Sequence, residues 1–377
     1  SLQNIVANAK GASGAPVAGQ LVMNENGDSW LVTGQLDIAA IDVSQLLALV
    51  GGQAALVAGD GIWPEGPIDL GSSIRSTRGR IEITTPAITA SKRILISDAG
   101  FQLTWDASSV TLANIEGSNG AGSVSGSIKL CCSALNEQKQ LSASLSLNGV
   151  PVKNILPDAL ITDLDGTINA GVRIEASGVS VAQMMKTLSG EGSFAVQDFQ
   201  VAKFDPAVFD ALASVKNITE LDKGALTSIV SMALGQGDFT APDFSGVFQL
   251  AGGAMRADNL AAEGKDARLL GNLGVNFSDL KISGKWSLSP TQMDNHIGLV
   301  NQSTAQVSAV LAGSLTAPKR ELELGATIDA IKARALEIEL ARLEQVRAEE
   351  IQRSAAAAAQ RAQAMALDAR RKAEEAL

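Results

Sequence analysis

The sequence predicts a mainly β protein: a long curved antiparallel sheet, a β-groove, with short interspersed helices and a long C-terminal α-helix. Three observations carry this. Apolar and polar residues alternate with period two through most of residues 15–327, as in Leu141-Ser142-Ala143-Ser144-Leu145-Ser146-Leu147-Asn148. Gly, Asn and Asp punctuate the alternating runs at short intervals, as at Asn26-Gly27-Asp28, Ser118-Asn119-Gly120 and Ala251-Gly252-Gly253. From Ile328 to Leu377 the rhythm changes to Ala, Glu, Arg and Leu with neither Gly nor Pro.

Alternation of this kind puts one apolar and one polar row on opposite faces of a strand. It recurs at Phe101 to Trp105, Val124 to Leu130, Ile168 to Glu175, Val275 to Phe277, Ile282 to Leu288 and Val307 to Leu315. Short helical stretches interrupt it. Val43 to Val50 follows a capping-type Asp42/Ser44, and Val181 to Leu188 follows Ser180. Asp205-Pro206-Ala207 opens a helix through Val215, and Asp222 to Leu234 forms another. The C-terminal segment predicts a helix about 75 Å long at ~1.5 Å per residue. Its first half is expected to dock on the sheet or on a partner helix, and its second half to stand in solvent.

Composition narrows the chemistry. The net charge is −10, and residues 328–377 carry nine basic and nine acidic side chains, so the excess lies in the β region. Nucleic-acid binding needs clustered Lys and Arg and is disfavoured. With one histidine, His296, and two cysteines, Cys131 and Cys132, no Cys/His zinc site and no His-based triad can be assembled convincingly. His296, with Asp294 nearby, is expected to be an ordinary solvent-side histidine. The adjacent cysteines are expected as two thiols, one on each face of a strand, in preference to a vicinal disulfide. The string Asp163-Leu164-Asp165-Gly166-Thr167 matches the DxDGT motif of haloacid dehalogenase-type phosphatases. Ile168, Ala170, Val172 and Ile174 then continue as a strand where that fold needs a loop and a crossover helix, so a turn entering a strand is the expectation. No catalytic residue, metal ligand or cofactor is assigned.

An antiparallel sheet with one apolar face must hide that face. Aromatics make up only 3% of the chain, and the apolar rows rely on Ala, Val, Leu and Ile. The pattern admits both a packed core and a groove wide enough for an acyl chain. Burying sixteen methylenes in such a groove contributes on the order of 13 kcal/mol at ~0.8 kcal/mol each.

Three stretches bear a family resemblance. Leu188-Ser189-Gly190-Glu191-Gly192-Ser193-Phe194-Ala195-Val196 resembles the L-x-G-x-G-x-hydrophobic strand pair of the AsmA-like family. Phe244 to Leu250 followed by Gly253 to Leu260, and Val310 to Leu322 with its Gly313 and Pro318, are similar to that family's C-terminal region. The resemblance covers about 155–350 and extends to 15–155 only in style. It implies a non-enzymatic periplasmic protein of Gram-negative bacteria, anchored to the inner membrane by an N-terminal helix that this sequence, starting at Ser1 in mid-pattern, lacks. It implies phospholipid or another acyl lipid as partner, and a role in lipid transport and outer-membrane assembly. The candidate groove- or core-lining residues are Phe194, Val196, Phe248, Leu250, Phe277 and Trp286. The chain divides into a β-rich segment with short helices at 1–187, the AsmA-like β region at 188–327 and the charged helix at 328–377. The alternative is a structural scaffold of the envelope that recruits a protein partner through the C-terminal helix.

Overall fold

In the computed structural model the alternating runs form one open sheet of 18 strands. The structure describes residues 2–6, 9–10, 16–26, 29–69, 76–90, 93–132, 138–215, 217–292, 298–302 and 304–375. The strands are β1 (Leu2–Val6), β2 (Ala9–Lys10), β3 (Pro16–Asn26), β4 (Ser29–Ile38), β5 (Ile41–Asp42), β6 (Thr77–Ala90), β7 (Arg93–Trp105), β8 (Ser109–Asn119) and β9 (Gly122–Cys131). They continue as β10 (Lys139–Pro151), β11 (Leu164–Gly178), β12 (Ser189–Val201), β13 (Phe239–Ala251), β14 (Ala254–Glu263), β15 (Ala267–Asn276), β16 (Lys281–Pro290), β17 (Val307–Ser314) and β18 (Ala317–Glu323). The helices are α1 (Val43–Gly51), α2 (Val152–Ile155), α3 (Val181–Thr187), α4 (Val208–Ser214), α5 (Lys223–Leu234) and α6 (Gly325–Glu375).

From β6 to β18 each strand pairs antiparallel with the next in sequence. The meander is broken once: β4 and the short β5 pair parallel to β6, with Trp30 opposite Thr77 and Asp37 opposite Thr84. A parallel step obliges the chain to travel back the length of the strand before pairing again. The returning segment carries α1 and a 3₁₀ turn at Gln53–Leu56. It packs Leu46, Leu47, Val50, Ala55 and Ile68 against the apolar rows of β6 to β8.

Bulges bend the sheet. Asp98, Asn114, Asp198 and Asn259 hold φ of 49, 50, 52 and 55° inside strands β7, β8, β12 and β14. At each of them the pairing register shifts. Asn and Asp tolerate this left-handed backbone better than other side chains, and a bulge adds local twist and bends its strand.

Where a large ring belongs to the inner face, the neighbouring strand supplies glycine. Phe248 lies opposite Gly192, Phe194 opposite Gly246, Trp286 opposite Gly271 and Trp105 opposite Gly79. A Cβ at Gly192 would overlap Cζ of Phe248, one at Gly271 or Gly79 would overlap the facing indole, and one at Gly246 would stand 2.9 Å from Cζ of Phe194. The rings therefore lie down on the sheet over bare backbone.

One expectation is corrected, and another is narrowed to the first turns of a helix. Cys131 and Cys132 are bonded to each other as a vicinal disulfide, with Cys132 at φ 80° just past the end of β9. The C-terminal helix docks by its first turns only: Thr327 and Ile331 are buried, and from Leu336 to Glu375 every residue is exposed. From Leu336 on the helix has left the sheet, so within this chain its apolar residues find no surface to cover. Among the described residues no helix is long and apolar enough to cross a membrane.

The glycine–ring pairing has a direct consequence for stability. Gly192→Ala should destabilise the protein by about 1–3 kcal/mol, because Phe248 has to leave its rotamer or the strands must shift. Gly171→Ala, at a position with no atom within 4 Å of the added Cβ, should be neutral or stabilise by up to ~1 kcal/mol. Urea unfolding midpoints of the two variants check this; equal effects would refute the role given to Gly192.

Candidate functional site

The inner face is the one carrying Leu141, Ala143, Leu145 and Leu147 of β10. Its coverage is uneven. One packed region joins α1 and α3 to Ile81, Phe101, Leu103, Leu130, Ala176 and Leu250. Another joins α4 and α5 to Val196, Phe199, Phe244, Leu269, Leu288 and Val307. A small third gathers Leu160, from the connection before β11, with Val275 and Ile282. The connections that do this covering are tied across the sheet. Trp63 donates its indole N–H to the Phe277 carbonyl at 2.6 Å. Ile68 N–H donates to Val179 O at 2.8 Å. Arg93 donates to the carbonyls of Leu156 and Asn154 at 2.6 and 3.1 Å.

Between the first two regions a stretch of the inner face is left uncovered. Leu145 faces Gly126 on β9 and Val172 on β11, while Leu147 faces Val124 and Ala170. Ala143, Leu145, Leu147 and Ala170 are half-buried and belong to none of the three packed regions. On either side of it the same face is sealed: Leu130, Val150, Ala176, Val196, Phe244 and Leu250 are all buried. Phe194 and Phe248 border the uncovered stretch. Each is half-buried, and Phe248 packs against both major regions. With the rings flat over Gly246 and Gly192, the floor between them stays low.

The six sequence candidates therefore separate. Phe194 and Phe248 edge the uncovered stretch. Val196 and Leu250 are core residues, 5% and 7% exposed, sealed in opposite packed regions. Trp286 stacks edge-on to Phe244 at 6.2 Å, within an aromatic group where Phe194 lies 5.3 Å and Phe199 4.5 Å from the same ring. Phe277 sits where the strap from Trp63 lands. The residues that sequence reasoning passed over are Leu145, Leu147 and Ala170. They lie in the cleanest alternating runs, but alternation shows only which face a side chain takes and not what covers it.

The phosphatase-like string lies at the entrance to β11. Asp165 is exposed and already in the ladder opposite Gln200, with its Oδ1 accepting from Gly166 N–H at 2.8 Å; Asp163 Oδ1 accepts from Thr162 Oγ1 at 3.4 Å. Among the described residues no group of three or more His, Cys, Asp or Glu side chains is placed to hold a metal ion. His296 and Asp294 lie outside the described residues.

Set against family models, curated proteins and solved structures, the chain matches none.

The cover supplied by α1 depends on its N-terminal cap. Asp42 Oδ1 accepts from Ser44 N–H at 2.9 Å and from Ser44 Oγ at 2.5 Å, and Gln45 Oε1 accepts from Asp42 N–H at 3.3 Å, a capping box. The Ser44 hydroxyl above all, then its N–H and Thr89 Oγ1, hold the Asp42 carboxyl below the ordinary aspartate range. A carboxyl depressed in the folded state stabilises it above the unfolded pKa of ~3.9, and that contribution fades as pH falls through the folded value. Asp42→Ala should therefore cost about 1 kcal/mol at pH 7, with the gap to wild type closing below about pH 4 in urea titrations. A gap independent of pH would show that the carboxylate charge does not hold the cap.

Proposed function

We propose that the protein is a non-enzymatic lipid-holding groove, in which the acyl chains of a phospholipid lie on the uncovered inner stretch of β10 and β11, bordered by Phe194 and Phe248. The observation that supports this is the interruption of an otherwise well-covered apolar face at Ala143, Leu145, Leu147 and Ala170. Water against that stretch is unfavourable in proportion to the apolar area, at ~25 cal/mol per Å², and an acyl chain removes the contact without any hydrogen bond. The polar alternate residues Ser142, Ser144 and Ser146 point the other way.

Dimensions agree. The uncovered residues lie on two adjacent strands, and Ala143 to Leu147 spans about 13 Å along β10 at ~3.3 Å per residue. Burying about a dozen methylenes supplies ~10 kcal/mol at ~0.8 each, against an association cost of ~4 kcal/mol or more. The balance suits a lipid that must be released as well as held, which a site enclosed on all sides would hinder. The resemblance to the AsmA-like family gives the setting: the periplasm of a Gram-negative cell, phospholipid traffic between inner and outer membrane, and outer-membrane assembly. Phe194 and Phe248 act as flat walls, and no residue is assigned a catalytic role.

The test is lipid occupancy of the purified chain. Native mass spectrometry and organic extraction should find phospholipid, and a fluorescent phospholipid analogue should bind and be displaced by unlabelled lipid. Leu145→Glu with Leu147→Glu should weaken that binding tenfold or more, whereas Ser144→Glu with Ser146→Glu on the opposite face should leave it unchanged. Circular dichroism confirms that both variants fold. No lipid on the wild-type chain, or equal loss in both pairs, would end the proposal.

A further inference from the structure

We propose that residues 57–68, the strap that crosses from α1 to the end of β15, form a latch on the groove: the Trp63 indole releases the Phe277 carbonyl to admit an acyl chain to the inner face. The inference rests on the lipid-holding reading above and assigns that site its gate. It is carried by how far the strap reaches and by how little holds its tip.

α1 packs against β6 to β8. Trp63, twelve residues past the end of α1 at Gly51, lands on Phe277, the first residue after β15. β6 and β15 stand nine places apart in the sheet, about 43 Å along it at ~4.8 Å per strand. The chain between is not extended. Residues 53–56 make a 3₁₀ turn, and the N–H groups of Glu65 and Gly66 both donate to Val57 O, at 3.0 and 3.2 Å. So short a link reaches β15 only because the sheet curls round to meet it. The strap is a chord across that curl, and its hydrogen-bonded loop can swing as one body.

A second cover lands beside it. The connection between β10 and β11 sets Leu160 against Val275 and Ile282, and Phe277 packs against both this region and the one that holds Ile68. The two covers are held differently. Leu160 is buried, and Arg93 grips its connection through the carbonyls of Leu156 and Asn154 and through Asp158 at 3.5 Å. The strap is anchored at its base, where Ile68 is buried, its N–H bonds Val179 O, and Asp69 N–H donates to Gly51 O at 2.8 Å. Its tip buries little beyond the half-buried Trp63: Ala58 to Ile62 are exposed, and Val57 and Ile62 are 58 and 57% exposed. Among the described residues the tip is fastened by two hydrogen bonds, from Trp63 Nε1–H to Phe277 O and from Ala182 N–H to Pro64 O at 3.0 Å. Bonds between neutral groups that water can replace contribute little net stability. The cover held by packing stays, and the one fastened by two bonds lifts about its base.

Lifting it enlarges the site. Ile68 shares its packed region with Val172 and Phe248. Val172 faces Leu145 across the ladder, and Phe248 borders the uncovered stretch. With the tip released, an acyl chain slides from that stretch past Phe248 and under the strap, and the refastened indole holds it there.

The test uses the full chain and separates a gate from a wall. Trp63→Phe keeps a ring and removes the N–H. In stopped flow with a fluorescent phospholipid analogue it should speed both association and release about fivefold, with the dissociation constant unchanged. Trp105→Phe, which removes an indole N–H bonded to Thr77 Oγ1 at 2.9 Å, should leave both rates as in wild type. Faster release with unchanged association would make Trp63 part of the binding wall and overturn the latch. A second readout needs no lipid. Hydrogen exchange of the Ala182 amide on the delipidated chain should accelerate about fivefold in Trp63→Phe, while the β10–β11 ladder keeps its wild-type rates. Unchanged exchange at Ala182 overturns the latch and leaves the groove standing. Accelerated exchange on a chain that takes up no phospholipid overturns the groove, and with it the cargo that the latch admits.

Discussion

The structure is governed by one requirement: a sheet that stays open on both sides must still take its apolar face out of water. Closed barrels meet this by burying the face inside themselves and sandwiches by adding a second sheet. Here the connections do the work. The single parallel step between β4 and β6 sends α1 and the Trp63 strap across the inner face. The connection between β12 and β13 contributes α4 and α5. That between β10 and β11 contributes Leu160. The covers gather into separate packed regions with a seam between them. The uncovered stretch at Leu145 and Leu147 is the seam.

Scarcity of aromatic residues has the same origin. A ring standing up from an inner row would fill the space that the connections occupy. Laid flat over glycine, Phe194, Phe248, Trp286 and Trp105 bury much of their area against backbone and leave the height above the sheet free. Gly192 and Gly246 alternate with the rings across β12 and β13, so each strand supplies one ring and one gap to its neighbour. The run Gly190-Glu191-Gly192-Ser193-Phe194 has a physical meaning on this reading. Gly190, at φ 151°, permits the backbone to approach Arg173 O, and Gly192 receives Phe248.

What was legible in the sequence was what local forces decide. The strand alternation, the capping residues Asp42, Ser180 and Asp222 and the helices they start all stand where the pattern placed them, within a few residues. What escaped was decided by distant partners. The parallel step is invisible because Thr77 to Thr84 carries no mark of pairing with Trp30 to Asp37 and not with a hairpin neighbour. Asp98, Asn114, Asp198 and Asn259 look like turn residues, and the φ that suits them to turns is used inside strands to bend the sheet. Burial is the least legible property. Val196 and Leu145 are equally apolar and equally well placed in alternating runs, yet one is sealed by α4 and α5 and the other by nothing, because coverage depends on connections far away in sequence.

An open sheet also has ends, and an unpaired strand edge invites a neighbour. The β18 edge is defended by composition: Pro318 removes a donor, and Lys319, Arg320, Glu321 and Glu323 put charge along a short strand. Arg320 is turned back over the Phe204 ring at 5.8 Å, and Glu323 reaches Lys285 at 2.5 Å. The strand then passes into α6 two residues later, so that chain direction itself carries the backbone away from further pairing. The β region holds the whole net negative charge, which makes face-to-face or edge-to-edge contact between copies repulsive. The neutral α6, with its opposite charges interleaved and its leucines outermost, is free of that repulsion. The charge that sets copies of the chain against one another thus belongs to the sheet and not to the helix that follows it.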